Sequence, residues 1–261
     1  MGPLAGLKVI ELKGIGPGPY AGMLLADMGA EVIVIERSRQ TNGIASPAEK
    51  DVNSRGKKSI ALNLKNQQGL ETLLKLIDSA DMLIEGFRPG VVEKLGVGPE
   101  VCHARNPGLI FGRITGWGQT GPLSKVAGHD INYISIAGAL GSIGTKDKPI
   151  PPLNLVGDYA GGSLFLVMGM LAALNERRQS GKGQVIDAAI TDGTASLMSV
   201  FYSLSNMGLW TAKRESNVLD GGAHFYNTYE TADGKFVSIG PIEPQFYQLL
   251  VEKAGLDSEQ F

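Results

Sequence analysis

At 261 residues the chain is long enough for one large or two small domains around a sizeable core. Its 43% hydrophobic and 19% charged residues are ordinary for a globular protein and argue against a disordered chain, and a net charge of -2 excludes a general field for nucleic acid. The single cysteine, Cys102, excludes an intrachain disulfide and fits a reducing compartment.

The N-terminus runs straight into a strand pattern, without the basic, apolar and small-residue succession of a secretory signal. Residues 7–12 alternate like a strand. Gly14, Gly16 and Gly18 follow, with Pro17 and Pro19. Residues 20–29 read as a helix, and residues 31–35 as a second strand ending at Glu36 and Arg37. This is a βαβ unit with a glycine-rich first turn, as in a Rossmann-type fold. Glu36 sits near the spacing of a ribose-binding acid. However, Gly14-x-Gly16-x-x-Pro19 lacks the third glycine, so it does not define a nicotinamide site. Arg37, directly after the acid, suits a nucleotide phosphate.

Arg55, Lys57 and Lys58 precede a predicted strand over residues 59–64, and Lys65 follows. Such a run reads as a solvated basic turn or as a phosphate site. Leu70, Leu73, Leu74 and Ile77 mark one face of a helix. A strand over residues 82–84 leads to Gly86, Phe87 and Arg88, at the carboxyl end where open α/β sheets bind ligands. Another strand, residues 109–114, ends in a glycine-rich turn. Strands and helices thus alternate for about 120 residues, which predicts a mainly parallel sheet.

Next comes Gly128-His129-Asp130-Ile131-Asn132-Tyr133, and further on Gly157-Asp158-Tyr159-Ala160-Gly161-Gly162. Together they offer one imidazole and one carboxylate, each among glycines where backbone can approach a ligand closely. Two different bases facing one carbon suit a reaction that removes a proton from one side and returns it to the other. Taken singly, His129 also reads as a hydrogen-bonded loop residue. Asp158 also reads as the N-cap of the apolar helix that follows, where the helix dipole favours a carboxylate. That apolar run, residues 164–174, is roughly half the ~20 residues a membrane span needs and reads as a core helix.

Residues 180–184 form a turn, 185–188 a strand and 191–204 a helix. Residues 206–220 are irregular. An Asp233-Gly234 turn joins two strands into a hairpin. Pro244 opens a helix to about Ala254, so Glu243 reads as its cap. The domains are expected at 1–204, with a linker at 205–222 and a smaller α+β domain beginning at 223–261.

The chain resembles the α-methylacyl-CoA racemases of the CaiB/BaiF family, also called family III CoA-transferases. The resemblance is carried by Gly16-Pro17-Gly18-Pro19-Tyr20, Gly86-Phe87-Arg88-Pro89-Gly90, Thr115-Gly116-Trp117-Gly118-Gln119-Thr120-Gly121-Pro122, Gly128 to Tyr133, Pro152-Leu153-Asn154-Leu155, Gly181-Lys182-Gly183-Gln184 and Ile242-Glu243-Pro244-Gln245-Phe246-Tyr247, in one order from end to end. It implies a Rossmann-like large domain, a small domain, and a homodimer interlocked like links of a chain. It implies an acyl-CoA substrate, with coenzyme A as its carrier and no prosthetic group. Arg37 matches the arginine that grips the CoA nucleotide. Further contacts fall on Leu62, Asn63, Leu64, Lys65, Gly86, Phe87 and Arg88, and on a basic position matched by Lys94, which lacks an arginine's planar fork. Gly128, Asp130, Ile131, Asn132 and Tyr133 match the thioester pocket. His129 and Asp158 match the racemase pair, and Glu243 the acid that assists the histidine. Members of this family usually run well past 261 residues, so the small domain is expected to be incomplete in this chain.

The expected reaction interconverts (R)- and (S)-2-methylacyl-CoA through an enolate, with backbone N–H groups near Gly157 and Asp158, or at another glycine turn, as oxyanion donors. The alternative is a CoA-transferase in which Asp158 attacks the thioester and carries an acyl anhydride. Asp158 serves either reading. His129 favours the racemase, and no glycine-rich loop of the transferase kind lies between Ile239 and Tyr247. A third reading is a chain that binds CoA without turnover. Three scattered histidines and one cysteine give no metal-ligand spacing. The expected setting is soluble: the cytoplasm of a bacterium, or the peroxisome or mitochondrion of a eukaryote.

Overall fold

The computed structural model describes residues 2–37 and 50–256. In chain order the elements are β1 (Lys8–Leu12), α1 (Pro17–Asp27), β2 (Glu31–Glu36), β3 (Lys57–Ala61), α2 (Gln67–Ile77), β4 (Met82–Glu85), α3 (Val91–Lys94), α4 (Pro99–Arg105), β5 (Ile110–Thr115), α5 (Asp130–Ile136) and α6 (Ala139–Ser142). A π-helical segment, Leu155–Leu164, runs directly into α7 (Phe165–Ser180). Then come β6 (Val185–Ala189), α8 (Ile190–Leu197), α9 (Ser199–Asn206), β7 (Asn227–Glu230), β8 (Phe236–Ile239) and α10 (Pro244–Ala254).

The chain divides into two compact units. One comprises the first 137 residues together with Leu153–Leu197 and the other comprises Gly138–Pro152 with the residues from Met198 onward. The first unit is a six-stranded parallel sheet in the order β3-β2-β1-β4-β5-β6. The expected α/β architecture is therefore present. The inner strands β1, β4 and β5 are buried almost throughout because both faces are covered, whereas the edge strand β3 is largely exposed. Successive side chains point to opposite faces, so Val9 joins a core with α1 and α7 while Ile10 joins a second core with α2, α3 and α4. Cys102 lies in the second core, where its Sγ meets the Val97 carbonyl at 3.4 Å.

The chain leaves β1 for β2 and β3 on one side and returns to β4 on the other. This puts the reversal of strand order between β1 and β4, the place where such sheets form a ligand crevice at their carboxyl edge. The turns after β1, β2, β3, β4 and β5 all emerge on that edge.

Three local expectations shift. The strand expected at 59–64 begins two residues earlier, at Lys57. Lys57 is therefore no turn residue: its Nζ is buried and pairs with Glu11 at 2.6 Å and the Pro19 carbonyl at 2.8 Å. The single helix expected over 191–204 is two helices, α8 and α9, broken at Met198. Asp158 does not cap its helix. It lies inside the π-helical segment, whose N-cap is Asn154.

Leu155–Ser180 together make 26 helical residues, long and apolar enough by length and composition to cross a membrane. In this fold Leu166, Val167, Met170, Ala173 and Leu174 are buried in the core that α7 shares with the sheet.

In the second unit β7 and β8 pair antiparallel around Gly234, whose φ of 77° suits glycine. The Arg214 guanidinium donates to the carbonyls of Thr145 and Gly141, tying the irregular stretch to α6 and the turn after it. Helix α10 starts at Pro244 with Glu243 at its N-cap. The Glu243 side chain is exposed and makes no capping hydrogen bond.

Candidate active site

The first unit brings together Asp158, Asp130, His129 and Tyr133. The π-helical segment is the wider turn that places Asp158, and such turns recur at functional sites. It has a packing cause here. A Cβ on Gly161 would lie 2.5 Å from Thr194 Oγ1, and one on Gly193 would lie 1.9 Å from the Gly161 carbonyl. The segment and α8 thus meet backbone to backbone through two glycines. Ser163 is fully buried and donates to the Pro17 carbonyl at 2.8 Å, tying the segment to α1.

The carboxylate of Asp158 accepts from the Asn154 side-chain amide at 3.3 Å. Gly16, with φ 74°, backs it, and a Cβ there would stand 3.3 Å from Asp158 Oδ2. The glycine-rich first turn therefore faces a carboxylate. That is the wrong charge to set beside a pyrophosphate. Burial holds the Asp158 carboxyl above the ordinary range. The Asn154 hydrogen bond pulls it down, the Asp130 charge pushes it up, and His129 pulls it down.

Asp130 opens α5 and is 7% exposed. Its Oδ2 accepts the Asp158 backbone N–H at 2.6 Å, and the Gly157 N–H also donates to this carboxylate. Both N–H groups expected as oxyanion donors are thus already engaged. Burial raises Asp130, and these two backbone donors lower it. Its Oδ1 is buried without a hydrogen-bond partner.

His129 is the N-cap residue of α5, and its side chain is exposed. Its backbone N–H donates to Asn132 Oδ1 at 2.9 Å. Tyr133 lies edge-on to Trp117 at 4.8 Å and donates its hydroxyl to the Gly128 carbonyl. Gly116 makes room for its ring, since a Cβ there would lie 2.0 Å from it. Burial raises the Tyr133 phenol first, Asp158 next, while Arg88 pulls the other way. Arg88 is thus close enough for its charge to be felt at Tyr133. Ile131 and Asn132 are exposed, and Gly128 is half-buried.

The other anticipated residues line the carboxyl edge. Arg37 follows β2 and is exposed. Leu62, Asn63, Leu64 and Lys65 follow β3, the two leucines half-buried and the other two exposed. Gly86 and Arg88, after β4, are exposed and Phe87 is half-buried, while Lys94 ends α3 in solvent. Glu243 belongs to the second unit. Among the described residues no three His, Cys, Asp or Glu side chains cluster as metal ligands.

Sequence reasoning gave no role to Asn154 or Gly16. It also missed the stack of Tyr20 on Tyr159, 4.5 Å apart and 23° from parallel, next to Asp158. The spacing of Asn154 and Asp158, four apart at a helix start, was the available signal.

This fold and site define a family. Residues 4–260 match the model of CoA-transferase family III, and the chain belongs to that family. It is 50% identical to the alpha-methylacyl-CoA racemase of Mus musculus and 46% identical to that of Homo sapiens. Each match covers 98% of this chain and 66% of the relative. A crystal structure of a CaiB/BaiF family protein from Brucella suis superposes with a TM-score of 0.82 at 29% identity, over 98% of this chain and 70% of the other. The chain thus spans just under two thirds of the length of these curated relatives.

Proposed function

We propose that this chain carries the proton-transfer site of a racemase acting on 2-methylacyl-CoA thioesters, with coenzyme A as the carrier. One observation carries the reading. Asp158 is half-buried and raised by burial, and the His129 charge lowers it, which supports a carboxylate and an imidazole serving one locus. The racemase relatives at 50% and 46% identity support it.

In one direction His129 takes the α-proton and the electron pair moves into the thioester carbonyl as an enolate. Asp158, protonated, then delivers a proton to the opposite face. In the other direction the duties exchange. Burial suits Asp158 to this, because it makes the protonated form less costly than in an ordinary exposed aspartate. Asn154 fixes its orientation, and Gly16 leaves space beside it. Glu243 stays, in this reading, the acid that the family resemblance assigns to assisting the histidine. Arg37, Lys65, Arg88 and Lys94 supply positive charge for the carrier's phosphates. The working assembly is taken to be the interlocked homodimer of the family.

The test is α-proton exchange followed by NMR. A single-enantiomer 2-methylacyl-CoA is incubated in deuterated water, with a free-acid acceptor in a parallel tube. Deuterium at the α-carbon with loss of optical purity, and no new acyl-CoA, is the expected result. A new acyl-CoA with optical purity intact would make Asp158 a nucleophile and the protein a transferase.

A further inference from the structure

We propose that Arg113 is a positioning residue, a clip that holds the turn bearing Phe87, Arg88 and Lys94 in the shape that receives the phosphate-bearing end of the carrier. This rests on the CoA reading above. Arg113 on β5 and Glu85 on β4 are register partners, so they share one face of the sheet. The Arg113 Nε donates to Glu85 Oε1 at 2.7 Å, and its Nη1 to Glu93 Oε1 at 2.8 Å. The second oxygen of Glu85 accepts the backbone N–H of Phe87 at 2.7 Å. One guanidinium therefore grips the chain just before the turn and again at its far end, and through Glu85 reaches the backbone inside it.

The turn between these grips has its own built-in bends. Pro89 fixes one φ, and Gly90, at φ 85°, adopts a left-handed conformation that opens α3. Val92 anchors it in the second core, fully buried. Arg88 and Lys94 remain exposed. Stability alone does not account for the network. Burial pushes Glu85 up, against the pull of the Phe87 N–H and Arg113. Arg113 Nη2 is buried with no hydrogen-bond partner. Apolar residues of the same volume commonly match or exceed the stability of such a buried pair. What they do not supply is orientation, and a planar fork holding two carboxylates does.

The clip predicts loss of binding without loss of chemistry. Glu93 is the accessible arm, its side chain 43% exposed, so Glu93→Ala leaves the buried pair in place. Free CoA is titrated calorimetrically into the wild-type chain, Glu93→Ala, Arg88→Ala and the double variant, with Tm recorded for each. Glu93→Ala is expected to weaken CoA about 3- to 10-fold, the worth of one ordinary net hydrogen bond, since solvent screens the half-exposed Glu93 arm. The double variant should lose less than the sum of the two single losses, because the clip acts through the turn that carries Arg88. In α-proton exchange KM should rise while kcat at saturating thioester holds. Arg113→Lys, which keeps the charge without the fork, should not restore affinity. Wild-type affinity in Glu93→Ala, strictly additive losses, or a fall in kcat alone would overturn the clip and leave the CoA reading standing. A wild-type chain that does not bind CoA would overturn both.

Discussion

The backbone N–H of Asp158 donates to the carboxylate of Asp130 across 2.6 Å, so the site's two acids are joined main chain to side chain. Asp130 therefore does two things to Asp158. It anchors the peptide that carries it, and its charge opposes ionisation of the Asp158 carboxyl. Asp130→Asn separates the two, because a carboxamide oxygen still accepts the N–H but carries no charge. The groups acting on Asp158 are Asp130, His129 and the Asn154 amide. Removing the like charge lowers the Asp158 pKa. The acid limb of the exchange rate, measured in the direction that uses Asp158 as base, should move to lower pH. An unmoved limb would show that Asp130 acts only as an anchor.

His129→Ala should abolish α-proton exchange in at least one direction, by about 100-fold or more, the usual contribution of a positioned general base. CoA binding should persist, since the variant leaves the expected carrier contacts at Arg37, Lys65, Arg88 and Lys94 untouched. Normal exchange in both directions would rule out the two-base scheme.

Gly16→Ala tests the backing of Asp158. Its φ of 74° is costly for a side chain, on the order of 1–3 kcal/mol. The new methyl would also press on Asp158 Oδ2, 3.3 Å away. The variant should lose stability by about that amount in urea and lose exchange beyond what its folded fraction explains. Full exchange by the folded protein would show that Asp158 has room to move.

Lys57→Met should cost about 3 kcal/mol or more, because it leaves Glu11 buried without its partner. Burial already raises Glu11 against the pull of Lys57. Without that pull Glu11 rises further. An acid raised in the folded state contributes stability that is full below its unfolded pKa and is lost as pH climbs from there through the folded pKa. The deficit in denaturant unfolding should therefore be larger in mildly alkaline than in acidic buffer. An equal deficit throughout would mean Glu11 stays ionised in the variant.

The sheet was legible because short apolar-rich strands alternate with helical patterns and glycine-rich turns, and the parallel order then sends Arg37, Lys65 and Arg88 to one edge. Lys57 was misread because a charge run looks the same whether one of its members is solvated or buried against Glu11. Asp158 was placed as a cap because a π-helical turn has no compositional mark. Only the glycines at 157, 161 and 162 hint at it, and they equally suit an ordinary helix packed closely. The bond from the Asp158 N–H to Asp130 was out of reach for a different reason. Every residue but proline has that donor, so sequence does not say where it is spent.

Cys102, fully buried in the second core with its thiol pushed up to about 12, has a practical consequence. A thiol-alkylating reagent at neutral pH meets neither access nor thiolate in the native chain. The one sulfhydryl in 261 residues is thus a built-in reporter. The rate at which it is labelled counts how often the α4 side of the sheet opens, and a ligand that closes that side will be seen as slower labelling, with no dye or engineered tag required.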